Sequence, residues 1–157
     1  MFPLALHGSY QREEILAALG HATLDRPPSH FREGVLKTEV NGEPVDAFFI
    51  TLNKSEAEYS PSTMYRDYPI SPTLFHWESQ STTSVASETG SRYLSGGSKV
   101  LLFIRREKKN ECGTAPYTYL GAATYVAHSG DRPIAITWRL NHPMPGDLYA
   151  DSALAVG

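Results

Sequence analysis

The sequence predicts an α+β fold, in which a twisted antiparallel sheet curves toward a β-barrel and carries an N-terminal helix and short helical insertions. Two observations favour this class. One amphipathic helix opens the chain, and six or seven short apolar or alternating runs separated by turn residues follow it, a pattern typical of curved or partly closed sheets. The length of 157 residues suits one core, so we expect residues 1–157 to form a single domain.

The N-terminal segment has the signals of a helix over residues 10–19. Ser9 can cap its start, because a serine hydroxyl accepts a hydrogen bond from an otherwise unpaired N–H group. Gly20 can end it, because glycine readily adopts the left-handed conformation found there. Ile15 and Leu16 begin one apolar stripe, so the helix is expected to pack on the sheet.

Strands are predicted on both sides of the middle of the chain. Val35–Val40 and Val45–Leu52 flank Asn41-Gly42, and this pair favours a hairpin because both residues tolerate positive φ. The last third contains four further runs: 100–104, 117–120, 123–128 and 133–140, the second and third separated by Gly121. In the last run apolar and polar residues alternate, which indicates one buried and one solvated face.

Residues 54–78 carry the expected helical insertions. Ser60-Pro61 is a helix-start signal, and Pro69 forbids continuation, so a helix of barely two turns is predicted over 61–68. Ser71-Pro72 repeats the signal and predicts a second helical turn that runs to Trp77. Residues 79–98 are half serine or threonine, which favours a flexible loop, with part of it an ordered strand at Tyr93 and Leu94.

Charge is distributed unevenly along the chain. The formal net charge is −3, yet residues 92–109 hold six basic side chains and one acidic one, and residues 11–60 hold nine acidic and five basic ones. Local clusters attract polyanions, whereas the total charge mostly governs solubility. A nucleic-acid partner therefore remains compatible with an acidic protein.

The composition excludes several classes of protein. Nine Tyr, six Phe and two Trp give a chain that can bury a core, so disorder is not expected. Neither a membrane span nor a signal peptide is predicted, because the apolar runs are too short. A single cysteine, Cys112, allows no intrachain disulfide. We expect a soluble, cytoplasmic domain without a membrane partner.

The sequence offers little for catalysis. Its six histidines lack metal-ligand spacing, and no nucleophile elbow or phosphate-binding glycine motif occurs, so no metal, cofactor or enzymatic activity is expected. One alternative stays open. Glu107 and Lys109 follow an apolar strand, where metal-dependent nucleases place such a pair, and Asp46 could be the partner carboxylate.

A recognition surface for DNA is the favoured interpretation. Arginine and lysine suit phosphates or guanine edges, glutamine suits adenine, hydroxyls suit phosphate oxygens, and aromatic rings stack on bases. The predicted DNA-binding residues are Lys54, Thr63, Tyr65, Arg66, Tyr68, Pro69, His76, Gln80, Ser81, Arg92, Arg105 and Arg106.

The same region resembles a known family. The segments that carry the resemblance are 54–56, 59–61, 64–68, 71–72, 74–81 and 89–93, with 119–121 and 136–140 toward the end. They are similar to an uncharacterised bacterial domain found C-terminal to superfamily II (DEAD/DEAH-type) helicase and phospholipase-D-like nuclease modules in restriction and defence proteins. The resemblance implies a specificity module for double-stranded DNA, with helicase and nuclease domains in the same or a partner chain.

A defence enzyme must distinguish modified from unmodified DNA, and the feature of the DNA that this domain would recognise is left open. A phosphorothioate sulfur would suit an apolar wall formed by Tyr68-Pro69, near Ser71-Pro72 and Arg66, because sulfur is larger and less hydrated than oxygen. A modified base or a particular base sequence is the other possibility. A docking module for the helicase and nuclease is a further alternative, and it predicts an apolar surface with no positive groove.

Overall fold

Ten strands and two helices organise the chain in the computed structural model, which describes residues 4–20, 34–53, 67–79, 83–107, 109–110 and 113–150. A short helical segment also covers 146–150. The strands are β1 (Ser9–Tyr10), β2 (Val35–Val40), β3 (Glu43–Asn53), β4 (Tyr68–Ser71), β5 (Leu74–Glu78), β6 (Lys99–Glu107), β7 (Lys109–Asn110), β8 (Gly113–Thr114), β9 (Tyr117–Ser129) and β10 (Ala135–Leu140), and the helices are α1 (Arg12–Ala18) and α2 (Glu88–Ser95).

The main sheet has the order β2-β3-β6-β9-β10-β5-β4, with β1 paired to β9. The predicted sheet-dominated α+β class is confirmed. The expected barrel is wrong, because in the described part of the chain β2 and β4 end the sheet without pairing to each other. The expectation of a purely antiparallel sheet is also wrong. Strands β3 and β6 run parallel, since the connection between them crosses over and carries β4, β5 and α2.

Two apolar clusters lie on opposite faces of β3 and β6. Phe48 and Leu102 belong to the larger cluster, with the buried residues of β5 and β10. Phe49 and Phe103 belong to the smaller one, which α1 covers through Ile15 and its neighbours. Successive residues of a strand point to opposite faces, so the continuous apolar run of β6 is buried on both sides.

The N-terminal helix forms as predicted but is shorter, and its cap differs. It begins after Gln11, whose backbone N–H donates to Glu14 Oε1 at 2.8 Å. Ser9 lies in β1 instead, where it is paired with Thr118 of β9. The end at Gly20, with φ of 76°, follows the prediction.

Two glycine-dependent features shape the strands. The Asn41-Gly42 hairpin is confirmed, with φ of 53° and 81° at the two residues. The predicted break at Gly121 is wrong, because β9 continues through it as one strand. Gly121 has a φ of 86°, and a Cβ there would lie 2.9 Å from Leu6 Cδ1, so glycine at this position leaves room for the side chain of Leu6, which precedes β1.

The predicted helical insertions have different outcomes. Of the helix expected over 61–68, residues 61–66 lie outside the described residues, and Tyr68 begins β4. The prediction of a second helical turn that runs to Trp77 is wrong, because β4 and β5 form a hairpin there. Ser71 Oγ accepts hydrogen bonds from the N–H groups of Thr73 and Leu74, at 3.3 and 3.1 Å. The serine therefore stabilises a turn between strands instead of starting a helix.

A helix replaces the loop and strand expected within 79–98. Ser87 Oγ accepts from Gly90 N at 3.1 Å and caps α2, and Gly96 ends the helix in the left-handed conformation. Gly90 packs closely, since a Cβ there would lie 2.0 Å from the carbonyl oxygen of Ser84. In the described ranges, the helical stretches are too short to span a bilayer.

Candidate nucleic-acid interface

The hairpin formed by β4 and β5 presents a stacked aromatic pair at one edge of the sheet. Tyr68 and His76 are paired in the β4–β5 register. Their ring centroids lie 4.6 Å apart with an interplanar angle of 15°. Both side chains are half-buried, so the pair keeps part of its aromatic surface available to a ligand.

The other face of the hairpin belongs to the core. Pro69, Phe75 and Trp77 are buried, and the Trp77 ring stacks on Phe48 with centroids 4.2 Å apart. Tyr68 and Pro69 are neighbours in one strand and therefore face opposite sides of the sheet. The hairpin thus combines a rigid apolar side with a polar, accessible one.

Strand β10 extends the accessible side. Thr137 is paired with His76, and Arg139 is paired with Leu74. Arg139 is exposed, whereas the alternate residues Ile136 and Trp138 are buried. Arg139 and Thr137 were absent from the predicted site, although the alternation of apolar and polar residues in this strand already indicated their solvated face.

Acidic groups lie at the opposite end of this face. Glu78 is half-buried and is paired with Ala135, four positions before Arg139 on β10. At about 3.3 Å per residue, the two ends of the face lie roughly 13 Å apart. Asp67 is buried beside Glu78, and its Oδ1 accepts a hydrogen bond from Glu78 N at 3.0 Å. We use the name outer hairpin face for Tyr68, His76, Glu78, Thr137 and Arg139.

Arg92 lies away from this face, on α2, where it binds a buried carboxylate. Its Nε and Nη2 donate to Asp46 Oδ2 and Oδ1 at 2.8 and 2.9 Å, and Ser98 Oγ donates to Oδ2 as well. Asp46 is fully buried. These hydrogen bonds raise the pKa of Arg92 above its ordinary value. Its assignment to DNA binding stays a prediction, and its geometry is that of an anchor between α2 and β3.

Arg105 and Arg106 lie on β6, which β9 and β10 separate from β5 in the sheet order. Arg105 is 7% exposed, and its guanidinium lies over the Tyr117 ring, 4.5 Å from the centroid. Arg106 is exposed. Both line a cavity of about 580 Å³ together with His7. The structure therefore separates these arginines from Tyr68 and His76, and their role in DNA binding stays a prediction.

The remaining predicted residues cannot be placed. They all lie outside the described residues: Lys54, Thr63, Tyr65, Arg66, Gln80 and Ser81. Of the predicted set, the structure brings together Tyr68, Pro69 and His76 on one hairpin and places the three arginines elsewhere.

The carboxylates of the nuclease alternative are separated by the sheet register. Asp46 is paired with Val100, and Asn53 is paired with Glu107, which lies seven positions further along β6. This spacing corresponds to roughly 23 Å between the two backbone positions. In the ranges that the structure describes, no group of three or more His, Cys, Asp or Glu side chains could hold a metal.

These features define a sheet-dominated α+β domain with a polar, aromatic face on an edge hairpin. The family model described as Domain of unknown function (DUF3427) matches residues 4–152. The chain belongs to this family. No curated protein matches the sequence.

A solved structure shares the fold at low sequence identity. A crystal structure of Arabidopsis thaliana SUVH6 in complex with SAM, form 2, is 12% identical, with a TM-score of 0.54. The match covers 90% of this chain and 27% of that one. Form 1 of the same complex is 10% identical, with a TM-score of 0.49, and the match covers 90% and 26%. This chain thus spans about a quarter of the chains that it matches.

Proposed function

We propose that this domain binds double-stranded DNA through the outer hairpin face and reads a modified base. The observation that carries the proposal is the half-buried Tyr68–His76 stack, held on a hairpin whose other side is core. Aromatic side chains on rigid elements are suited to stacking on a base that has been flipped out of the duplex. The likeness to SUVH6 at a TM-score of 0.54 supports the proposal that the domain reads a modified base. We infer that the shared fold is the SRA-like fold of modified-DNA readers.

The charges at the two ends of the face suit different parts of a nucleotide. Arg139 is exposed and can bind a phosphate, because the guanidinium fork matches phosphate oxygens. Glu78, with Asp67 beside it, repels phosphate and accepts hydrogen bonds from N–H groups. Carboxylates accept from the exocyclic amine of cytosine in this way. A modified cytosine, read at the acidic end and held by its backbone at the basic end, fits this arrangement.

The geometry supports a modified base over a phosphorothioate. The proposed sulfur wall needs Tyr68 and Pro69 on the same side, but successive strand residues face opposite sides, and Pro69 is buried. A sulfur atom that contacted Tyr68 would therefore meet polar neighbours such as His76 and Thr137. This environment does not favour a soft, weakly hydrated atom over oxygen.

The cellular context in this proposal follows from the family resemblance. The domain would supply specificity to a restriction or defence enzyme, and helicase and nuclease modules in the same or a partner chain would supply ATP hydrolysis and cleavage. A docking role for those modules calls for an apolar surface. The outer hairpin face carries a carboxylate, a guanidinium, a hydroxyl and an imidazole instead, which favours DNA.

A binding panel tests the proposal. One duplex sequence is prepared unmodified, 5-methylated, 5-hydroxymethylated and phosphorothioated, and binding to the purified chain is measured at low ionic strength. We expect the tightest binding to a base-modified duplex. Equal affinity for all four duplexes would contradict base reading, preference for the phosphorothioate would restore the sulfur hypothesis, and no binding at all would contradict the function. Asp67→Asn and Glu78→Gln should weaken binding to the base-modified duplex, because they remove the acceptors for the cytosine amine, while Glu39→Gln, on the opposite edge strand β2, should not.

A further inference from the structure

A cavity of about 580 Å³ lies between β6, the start of β9 and the segment that follows β10. Its polar lining comprises His7, Ser9, Arg105, Arg106, Thr118 and Asp147. Ligand sites in proteins commonly measure roughly 300–1,000 Å³. Because β9 and β10 separate β6 from the hairpin, this cavity is distinct from the outer hairpin face.

Arg105 is the main polar feature of this cavity. A guanidinium has five N–H donors. Arg105 Nε donates to Thr51 Oγ1 at 2.8 Å, and Nη1 donates to the Ala115 carbonyl at 3.4 Å, so three donors remain. In the described ranges no carboxylate binds this side chain, although it is 7% exposed. A buried charge normally has a partner of opposite sign, so the site calls for an anion.

His7 adds a second donor or acceptor without a partner. Its Nε2 is buried and has no hydrogen bond to the described residues. The backbone beside it is fixed, because His7 N donates to the Tyr119 carbonyl at 2.7 Å and Tyr119 N donates to the Gly8 carbonyl at 3.0 Å. The backbone of His7 is therefore held at the cavity by β9, and a ligand would reach Nε2 only after a rotation of the imidazole.

We propose that this cavity binds a phosphoryl group of a nucleotide. The described part of the lining contains two arginines, Arg105 and Arg106, and one carboxylate, Asp147, so its formal charge is positive. A planar guanidinium matches phosphate oxygens in a bidentate manner, and such charge-assisted bonds are stronger than bonds between neutral groups. The volume exceeds what a phosphate alone needs, so it also accommodates an organic body that carries the phosphoryl group. Both a free nucleotide and a DNA strand have this chemistry.

Calorimetric titration of the full chain, with inorganic phosphate, thymidine 5′-monophosphate and a short unmodified duplex as probes, tests the proposal. Arg106→Gln removes an exposed cation and should lower the affinity for the probe that binds by about threefold to tenfold. Asp147→Asn removes a repulsive charge and should raise that affinity by about threefold. Lys37→Gln is the matched control, because Lys37 is an exposed cation on β2, and it should change nothing. Arg105→Gln should abolish binding where the variant folds.

The probes distinguish the sources of the phosphoryl group. A response to thymidine monophosphate supports a nucleotide ligand, and a response to the duplex alone supports a DNA phosphate. In both cases the Arg105 Nε–H signal in ¹⁵N-resolved spectra should shift on titration. No binding, or binding that is indifferent to both Arg106→Gln and Asp147→Asn, would overturn the proposal. Monophosphate binding that Arg139→Gln weakens and Arg106→Gln does not would place the site on the outer hairpin face and overturn the proposal for this cavity, so the two sites can be told apart.

Discussion

The guanidinium of Arg92 on α2 forms two hydrogen bonds with the carboxylate of Asp46 on β3, at 2.8 and 2.9 Å. Ser98 adds a third donor to the same carboxylate, and Asp46 is fully buried. A buried charge is tolerated only when it is paired and hydrogen-bonded. The pair therefore determines where α2 packs against the sheet.

Loss of Arg92 should destabilise the fold. Arg92→Ala leaves a buried, uncompensated carboxylate and should lower the free energy of unfolding by about 2–4 kcal/mol, measured by urea denaturation. The double variant Asp46→Leu with Arg92→Leu should recover part of this loss, because both charges are gone. Lys37→Gln serves as control, since its contact with Glu88 is exposed at 3.9 Å and should contribute less than about 1 kcal/mol. Unchanged stability in Arg92→Ala would show that the pair is not an anchor.

Alkaline pH should destabilise the protein through Tyr93. Burial raises the pKa of Tyr93 above its ordinary value of 10.0, so the folded state retains the phenolic proton at a pH where the unfolded chain releases it. Stability is thus complete below pH 10 and falls as the pH rises above it, by up to about 1.4 kcal/mol per pH unit. Tyr93→Phe should flatten this decline in urea titrations made between neutral and strongly alkaline pH. Equal slopes in the two proteins would contradict the role of Tyr93.

Gly90 should resist substitution even though alanine favours helices. A Cβ at this position would lie 2.0 Å from the Ser84 carbonyl oxygen, and backbone cannot move aside as a side chain can. Gly90→Ala should therefore lower stability by about 3 kcal/mol or more. Gly97→Ala meets its nearest atom at 3.4 Å and should have a small effect in the same thermal denaturation. Similar melting temperatures for the two variants would mean that α2 packs differently.

The salt dependence of DNA affinity should show whether Arg139 contacts a phosphate. Each neutralised phosphate releases counterions, so the logarithm of the affinity falls linearly with the logarithm of salt concentration, with a slope of about −0.9 per contact. Arg139→Gln should make this slope shallower by about one contact for every duplex in the panel. A slope identical to that of the wild type would remove Arg139 from the interface.

Most of the sheet could be predicted from the periodicity of apolar residues, because this pattern depends on residues that are close together in the sequence. The Asn41-Gly42 turn and the alternation of Ile136 and Trp138 with polar residues depend on neighbours in sequence, and the structure reproduces both. Helix α2 was missed because its serine, threonine and glycine content has weak helix propensity. Its stability comes from the Ser87 cap and from the packing of Gly90 against Ser84.

The candidate site was predictable only in part, because side chains meet through the register of distant strands. Tyr68 and His76 were predicted as separate DNA contacts, and the hairpin makes them one stacked pair. Arg92 was chosen for its charge, and its partner Asp46 lies 46 residues away. Arg139 enters the site through the pairing of β10 with β5, which local pattern does not reveal.

The most direct test of the central claim compares three proteins on one base-modified duplex. Affinity is measured for the wild type, for the double variant His76→Ala with Arg139→Gln, and for Lys37→Gln, after circular dichroism has shown that all three are folded. The account predicts that the double variant binds at least about tenfold more weakly, since it loses a stacking contact and a phosphate contact, while Lys37→Gln binds as the wild type does. Equal affinity of the double variant and the wild type would contradict DNA binding by the outer hairpin face.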